Sequence, residues 1–343
     1  MTAPRPALSI VVPCYNEAPC LAELHRRLST AATAVVGTSH EIVLINDGSR
    51  DGSWAVMQRL CAADPHLAAI DLSRNHGHQL ALTAGLDLCR GERILIIDAD
   101  LQDPPELLSE MMAVMDGEAA DVVYAVRRKR AGETLFKKAT AAVFYRALSR
   151  LTDTDIPIDT GDFRLMSRRA LDALLSLPEQ ARFIRGMVAW IGFRQVPFPY
   201  DRAERLAGES HYPLSKMIRF ALDAVTGFST APLRLASHVA LWLLAVSFLL
   251  LIYIAIGFFS GSAVQGWTSL MLIVVVLGAV QMFVLGMIGE YLGRLYIEAK
   301  RRPLYIVSDI AGPLSNQARL GHVPADMMAA SDTPGGSGNR PIA

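Results

Sequence analysis

The pair Asp98-Ala99-Asp100 follows the apolar run Arg93–Ile97, and Leu101-Gln102-Asp103-Pro104-Pro105 follows the pair. Two carboxylates at i and i+2, placed where a strand pattern breaks, can aim at one point. Hard divalent cations such as Mg²⁺ or Mn²⁺ take oxygen ligands of this kind and keep waters and substrate phosphates as the remainder. An Asp-x-Asp alone is a weak signal; its place at the end of a strand strengthens it. A second acidic turn, Asp47-Gly48-Ser49, closes the earlier run Glu41–Ile45. Asp47 fits either a ligand contact or an Asx-turn, which Asp-Gly often makes.

These residues need a scaffold, and the sequence outlines one. Leu8–Pro13, Glu41–Ile45, Leu67–Leu72, Arg93–Ile97 and Asp121–Val126 are short runs rich in apolar and β-branched residues. Helical patterns separate the first four, at about Cys20–Val36 (Leu21, Leu24 and Leu28 on one face), Ser53–Asp64 and His78–Cys89. Apolar strands alternating with amphipathic helices predict an α/β fold, a mostly parallel sheet covered on both faces. Ligands bind such sheets beyond the carboxyl ends of the strands, where the polar clusters fall.

The composition points to a second environment. The chain has 343 residues, 33 basic and 33 acidic, and only 19% are charged; mean hydropathy is +0.29. The neutral balance argues against a protein that coats nucleic acid. No charged residue occurs from Leu235 to Gly289. Within that stretch His238–Phe259 and Trp267–Gly289 are each long enough to cross a hydrocarbon core of roughly 30 Å. Ser215–Leu235 carries an amphipathic pattern suited to lying in the interface plane. Arg234 precedes the first span, and Arg294, Lys300, Arg301 and Arg302 follow the second, which places both ends in the cytoplasm and Ser260–Gly266 outside. Met1–Ala7 reads as no secretory signal. The four cysteines, Cys14, Cys20, Cys61 and Cys89, form no close pair and read as free thiols.

Taken together, Val12-Pro13-Cys14-Tyr15-Asn16-Glu17, Ile45-Asn46-Asp47-Gly48-Ser49-Arg50-Asp51-Gly52, Asp98 to Pro105 and Thr160-Gly161-Asp162-Phe163-Arg164-Leu165 occur in an order that resembles family 2 glycosyltransferases of the GT-A (Rossmann-like) fold. Within them the chain is similar to the polyprenyl-phosphate sugar transferases, and most to the bacterial bactoprenol group, over residues 8 to 305. Together with the hydropathy, charge and composition patterns, this resemblance predicts a doubly covered sheet at 1–210, amphipathic interface helices at 211–235, two transmembrane helices within 236–292, a cytoplasmic return segment at 293–312 and, from its Pro, Gly, Ser and Ala content, a disordered tail at 313–343.

It also implies roles. Pro13, Tyr15 and Glu17 would hold the nucleoside, and Asp47 would read its base. Asp98 and Asp100, with Ala99 between them and Gln102 close by, would hold the Mg²⁺ or Mn²⁺ that bridges the donor diphosphate. Arg127 stands at a basic position after the fifth strand, and Arg205 matches a phosphate-contacting arginine. His211 replaces the lysine usual after Gly-Glu-Ser, and a histidine is only partly charged near neutrality. The implied reaction is inverting transfer of one sugar from a nucleotide donor, such as UDP-glucose, to a polyprenyl phosphate at the inner membrane, by a homo-oligomer. The acceptor phosphate is mostly dianionic near pH 7, so Asp159 or Asp162 is expected to position a substrate and not to remove a proton; either could also be a loop carboxylate paired with Arg164 or Arg168. The basic run from Arg127 to Arg150 could attract anionic headgroups. A processive synthase would carry Gln-x-x-Arg-Trp, which Gln180-Ala181-Arg182-Phe183 does not match, and a binding scaffold would have no need of Asp98 and Asp100.

Overall fold

The computed structural model describes residues 5–128, 160–201 and 266–314, with isolated positions between 236 and 256. The chain divides into two compact units. One comprises Met1–Thr134, Ile156–His211 and Arg302–Ala343, the other Leu135–Asp155 and Tyr212–Arg301.

The first unit is built on a mixed sheet. Strands β1 (Leu8–Cys14), β2 (His40–Asn46), β3 (Leu67–Leu72) and β4 (Arg93–Ile96) run parallel in the order β3-β2-β1-β4. Every residue of β1 and β2 is buried, as strands covered on both faces must be. Helices α1 (Leu21–Val36), α2 (Ser53–Ala63) and α3 (His78–Leu88) make the crossovers. On α1 the buried positions Leu21, Leu24, Leu28 and Ala32 repeat at helical spacing. Helix α3 packs so close to the sheet that a Cβ on Gly85 would come within 2.5 Å of Ile45 and Val11 side-chain carbons. A 3₁₀ turn, Pro105–Leu107, leads into α4 (Leu108–Gly117) and then β5 (Val122–Arg127).

Three strands go beyond the sequence pattern. Thr160–Ser167, given no element in the sequence pattern, is β6, inserted antiparallel between β4 and β5. Its charged residues Asp162 and Arg164 share one face at period two and are both buried. Beyond α5 (Arg168–Leu175) and α6 (Ile184–Trp190), strand β7 (Gln195–Tyr200) pairs with β5 at one edge. Its Pro197 and Pro199 suit an edge, where missing N–H groups break no ladder. At the other edge, Val307–Ala311 forms β8, antiparallel to β3. The return segment 293–312 is therefore no mere connector. Its last residues complete the sheet, where Tyr305 is fully buried and its hydroxyl donates to Asp87 Oδ2 at 2.9 Å.

In the second unit, α7 runs from Trp267 to Lys300, further than the expected span ending at Gly289. Among the described residues it is the one helix long and apolar enough to cross a membrane, over Val276–Lys300. Near its end Arg294 lies 3.4 Å from Glu290 one turn earlier, and the Lys300 ammonium sits over the Tyr296 ring. Of the first expected span only scattered positions are described; Trp242, Phe248 and Ile252 among them are helical and exposed. The amphipathic segment 211–235, residues 260–265 of the expected outer loop, the basic run from Lys129 to Arg150 and the tail from Ser315 lie outside the described residues.

Candidate active site

Strand order reverses at β1: the chain runs outward through β2 and β3, then returns to place β4 on the other side of β1. The crevice beyond the carboxyl ends of β1 and β4 is the expected ligand position. Two loops build one wall of it and are bonded to each other. The Asn16 N–H donates to Ser49 Oγ at 2.9 Å, the Arg50 N–H to Asn16 Oδ1 at 2.8 Å, and the Ala18 N–H to Asp51 Oδ2 at 3.1 Å. Asn16 adopts φ 56°, which turns the chain sharply after β1. Pro13 is buried beneath this turn, Tyr15 stands out from it and Glu17 is half-buried.

Asp47, expected against a nucleobase, has both oxygens bonded to the chain itself. Oδ1 accepts from the His76 N–H at 2.7 Å and Oδ2 from the Gly77 N–H at 3.0 Å. The side chain is buried, at 3% exposure. It therefore holds the loop that launches α3. Gly48 makes this approach possible: it sits at φ 63°, and a Cβ there would meet the Arg74 and Asn75 backbone at 2.5 Å. The local turn belongs to the preceding residue, whose Asn46 Oδ1 accepts from the Ser49 N–H.

The metal-type carboxylates follow β4. Asp100 Oδ1 accepts the Gln102 N–H at 3.1 Å, and Leu101 takes φ 57°, a left-handed conformation uncommon for leucine. Ala99 and Gln102 are buried under this turn. Asp98 Oδ1 is buried without a hydrogen bond among the described residues, and the His78 Nε2 lies 3.6 Å from it. Burial raises the Asp98 carboxyl to about 6; His78 opposes this, and Asp162, Asp103 and Asp100 add to it.

Because β6 runs antiparallel to β4 with Ile96 opposite Arg164, its amino end brings Asp162 beside the end of β4. Asp162 Oδ2 lies 3.0 Å from His78 Nε2 and accepts from Gln79 Nε2 at 3.0 Å. Arg164 and Arg185 each stand 3.6 Å from Oδ1. Burial alone would raise this carboxyl, but the His78 hydrogen bond and the Arg164 and Arg185 charges hold it well below the usual range. His78 shifts upward: burial opposes its charge, and the Asp162 bond with the nearby carboxylates outweighs that. On the far side of β6, the Tyr200 hydroxyl donates to Asp103 Oδ1 at 2.5 Å. Arg127, opposite Tyr200 in the β5–β7 register, reaches over Gly161, with Nη2 3.3 Å from where a Cβ would stand.

The structure thus assembles Asp98, Asp100, Gln102, Asp162 and Arg127 around one end of the sheet, with Tyr15 and Glu17 at its rim and Pro13 buried beneath them. Asp159, Arg205 and His211 lie outside the described residues. Unforeseen members are His78, Gln79, Arg185 and Tyr200, while Arg164 stands beside Asp162 as the alternative pairing expected and Asp103 belongs to the Asp98–Pro105 motif. The tract His76-Gly77-His78-Gln79, polar residues opening a helix after a strand, was the available signal for two of them.

Known proteins bear out the expected kinship. The family model described as glycosyl transferase family 2 matches residues 9–175. The uncharacterized glycosyltransferase YkcC of Bacillus subtilis is 48% identical over 305 residues, 89% of this chain and 94% of that protein. The chain is a family 2 glycosyltransferase. The family 2 match spans β1 through α5 and so includes Asp98, Asp100 and Asp162 but not Arg185 or Tyr200. Further relatives of this transferase are the prophage bactoprenol glucosyl transferase homolog of Escherichia coli, 35% identical over 304 residues (88% of this chain, 99% of that one), and the SfII prophage-derived bactoprenol glucosyl transferase of Shigella flexneri, 36% identical over 301 residues (88% and 97%).

Proposed function

We propose that this enzyme moves one sugar from a nucleotide donor, a UDP-hexose such as UDP-glucose, to a polyprenyl phosphate at the cytoplasmic membrane face, with inversion and with Mg²⁺ or Mn²⁺. The observation that carries the reading is the carboxylate cluster Asp98–His78–Asp162 at the switch point of the sheet. Near full-length kinship to bactoprenol glucosyl transferases supports the acceptor class.

The donor set suits a hard cation. Asp98 offers a buried oxygen with no hydrogen bond, and Asp100 lies two residues on. Mg²⁺ and Mn²⁺ fill the positions that protein oxygens leave with water and substrate phosphate. When bound, such an ion supplies charge stabilisation for the departing diphosphate. The protein's own residues do the rest. Pro13, Tyr15 and Glu17 hold the nucleoside on the wall that Asn16, Ser49 and Asp51 fix, and Asp47 shapes that wall through the His76–Gly77 loop. Arg127 and Arg205 add fixed positive charge toward the leaving group. Of the two candidate carboxylates, Asp162 is assigned to position the acceptor or sugar. Oδ2 is engaged by His78 and Gln79, and its low proton affinity ill suits a base. A dianionic acceptor phosphate needs none.

For the membrane, we assign two spans with the catalytic unit and both termini in the cytoplasm, resting on the uncharged stretch Leu235–Gly289, the basic residues that flank it, and α7. The test uses full-length protein in detergent with Mg²⁺ or Mn²⁺, a labelled nucleotide sugar and a polyprenyl phosphate. A single-sugar lipid product is expected, and Asp100→Ala should abolish it. Full turnover in excess chelator would remove the metal, and a ladder of longer products would favour a processive synthase.

A further inference from the structure

We propose that Arg185, on α6, is a phosphate-binding residue of the transfer site. The proposal rests on the reading of that site given above and extends it beyond the segment matched by the family model, which ends at residue 175.

Two arginines flank Asp162, and they are not equivalent. Arg164 is 2% exposed and committed to the backbone: Nε donates to the Asp162 carbonyl at 3.4 Å and Nη2 to the Gly161 carbonyl at 3.2 Å. Arg185 makes no such bond among the described residues. Its Nε is buried without a hydrogen-bond partner, and its approach to Asp162 Oδ1, at 3.6 Å, is an ion pair too long for a hydrogen bond. The side chain is 23% exposed, so the head is neither sealed in the core nor free in solvent. A guanidinium presents five donors in a planar fork, and leaving the buried Nε–H without a partner is costly. An incoming anion with several oxygens would fill them, and phosphate matches the fork in two-point geometry.

The position of Arg185 is fixed and not incidental. The Ile184 N–H donates to Gln79 Oε1 at 2.9 Å, while Gln79 Nε2 donates to Asp162 Oδ2 at 3.0 Å. A backbone N–H on one side and a carboxylate on the other admit only this orientation of the amide. One side chain at the start of α3 therefore ties the start of α6 to the carboxylate. Arg164 and Arg185 both face Asp162 Oδ1, and of the two only the Arg185 head reaches solvent beside the crevice. In a site that joins a donor diphosphate to a lipid phosphate, the complement is a phosphoryl group from one of the two.

The experiment compares wild type, Arg185→Ala and Arg185→Lys as full-length proteins in detergent. It measures the Kd for UDP-glucose and for pyrophosphate without acceptor, the KM for a polyprenyl phosphate at saturating donor, and the melting temperature. Loss of a charge-assisted contact predicts a rise of about tenfold or more in one constant for the alanine variant, with partial recovery in the lysine variant. A change in donor Kd identifies the diphosphate as the ligand; a change confined to the acceptor KM identifies the lipid phosphate. If every binding constant stays within twofold while only stability or kcat falls, Arg185 is merely the counter-ion of Asp162 and the proposal is overturned. If the wild type itself transfers no sugar, the reading of the site falls, and the pyrophosphate arm decides Arg185 by the same tenfold criterion.

Discussion

Asp47→Asn separates two roles for one carboxylate. In the structure each oxygen accepts a backbone N–H, from His76 at 2.7 Å and Gly77 at 3.0 Å, in a buried setting. The asparagine keeps one acceptor oxygen and turns an amide NH₂ against the other N–H, leaving a buried donor facing a donor. Hydrogen bonds to charged groups contribute about 1.5–3 kcal/mol each, so one lost bond costs about 2–3 kcal/mol. At about 2–4 °C per kcal/mol for a domain of this size, the melting temperature should fall by about 5–10 °C. Donor affinity should weaken as well, because the same loop precedes His78 and Gln79. The assay pairs a thermal melt with UDP-glucose titration of the same preparation. Donor binding lost with the melting temperature unchanged would refute the reasoning, since the carboxylate would then meet the nucleotide and not the loop.

Gly48→Ala should fail in the same region for a steric reason: its Cβ would lie 2.5 Å from the Arg74 and Asn75 backbone at a φ that L-residues rarely adopt, so reduced yield or a lowered melt is expected. Tyr305→Phe should cost about 1.5–3 kcal/mol by removing the hydrogen bond to Asp87, read by chemical denaturation. Burial raises the Asp87 carboxyl and the Tyr305 bond pulls it back down, so the bond favours the ionised form. The Tyr305→Phe penalty should therefore be largest at neutral pH and shrink as the pH falls through the Asp87 pKa; a pH-independent penalty would contradict this. Gln79→Glu places a carboxylate where an amide donates to Asp162 and should lower sugar transfer at least tenfold, measured with the labelled lipid assay.

How much of this site is legible follows from how each residue is held. Asp98 and Asp100 can be read because an apolar strand ends on them, and Pro13 to Glu17 because β1 does the same. Those signals are local. Strand β6 escapes notice because Asp162 and Arg164 occupy buried positions where period-two patterning expects apolar side chains. Each is tolerated there only through partners elsewhere, on α3, α6 and the β6 backbone. Strand β7 is hidden by its two prolines, acceptable at an edge that the sequence does not announce. Strand β8 follows a long apolar helix, and nothing local says that the chain rejoins the first sheet. Asp47 stands out in the sequence, but its partners lie 29 and 30 residues on, beyond any turn rule.

The unforeseen residues share a cause, which also explains why the site sits where it does. In a purely parallel sheet, the strand next to β4 would point its carboxyl end toward the crevice. The antiparallel insertion of β6 presents an amino end there instead, and with it Asp162 opposite the carboxylates of β4. Acidic groups gathered in this way would repel one another, and the raised proton affinity of Asp98 registers that repulsion together with burial. His78, Arg164 and Arg185 arrive from α3, β6 and α6 to offset it. The site is thus a balance of opposite charges supplied by separate elements, with Gln79 setting the distance between two of them. A cation at Asp98 and Asp100 and a phosphate at Arg185 would each complete one side of that balance, so occupancy of either is expected to tighten the other.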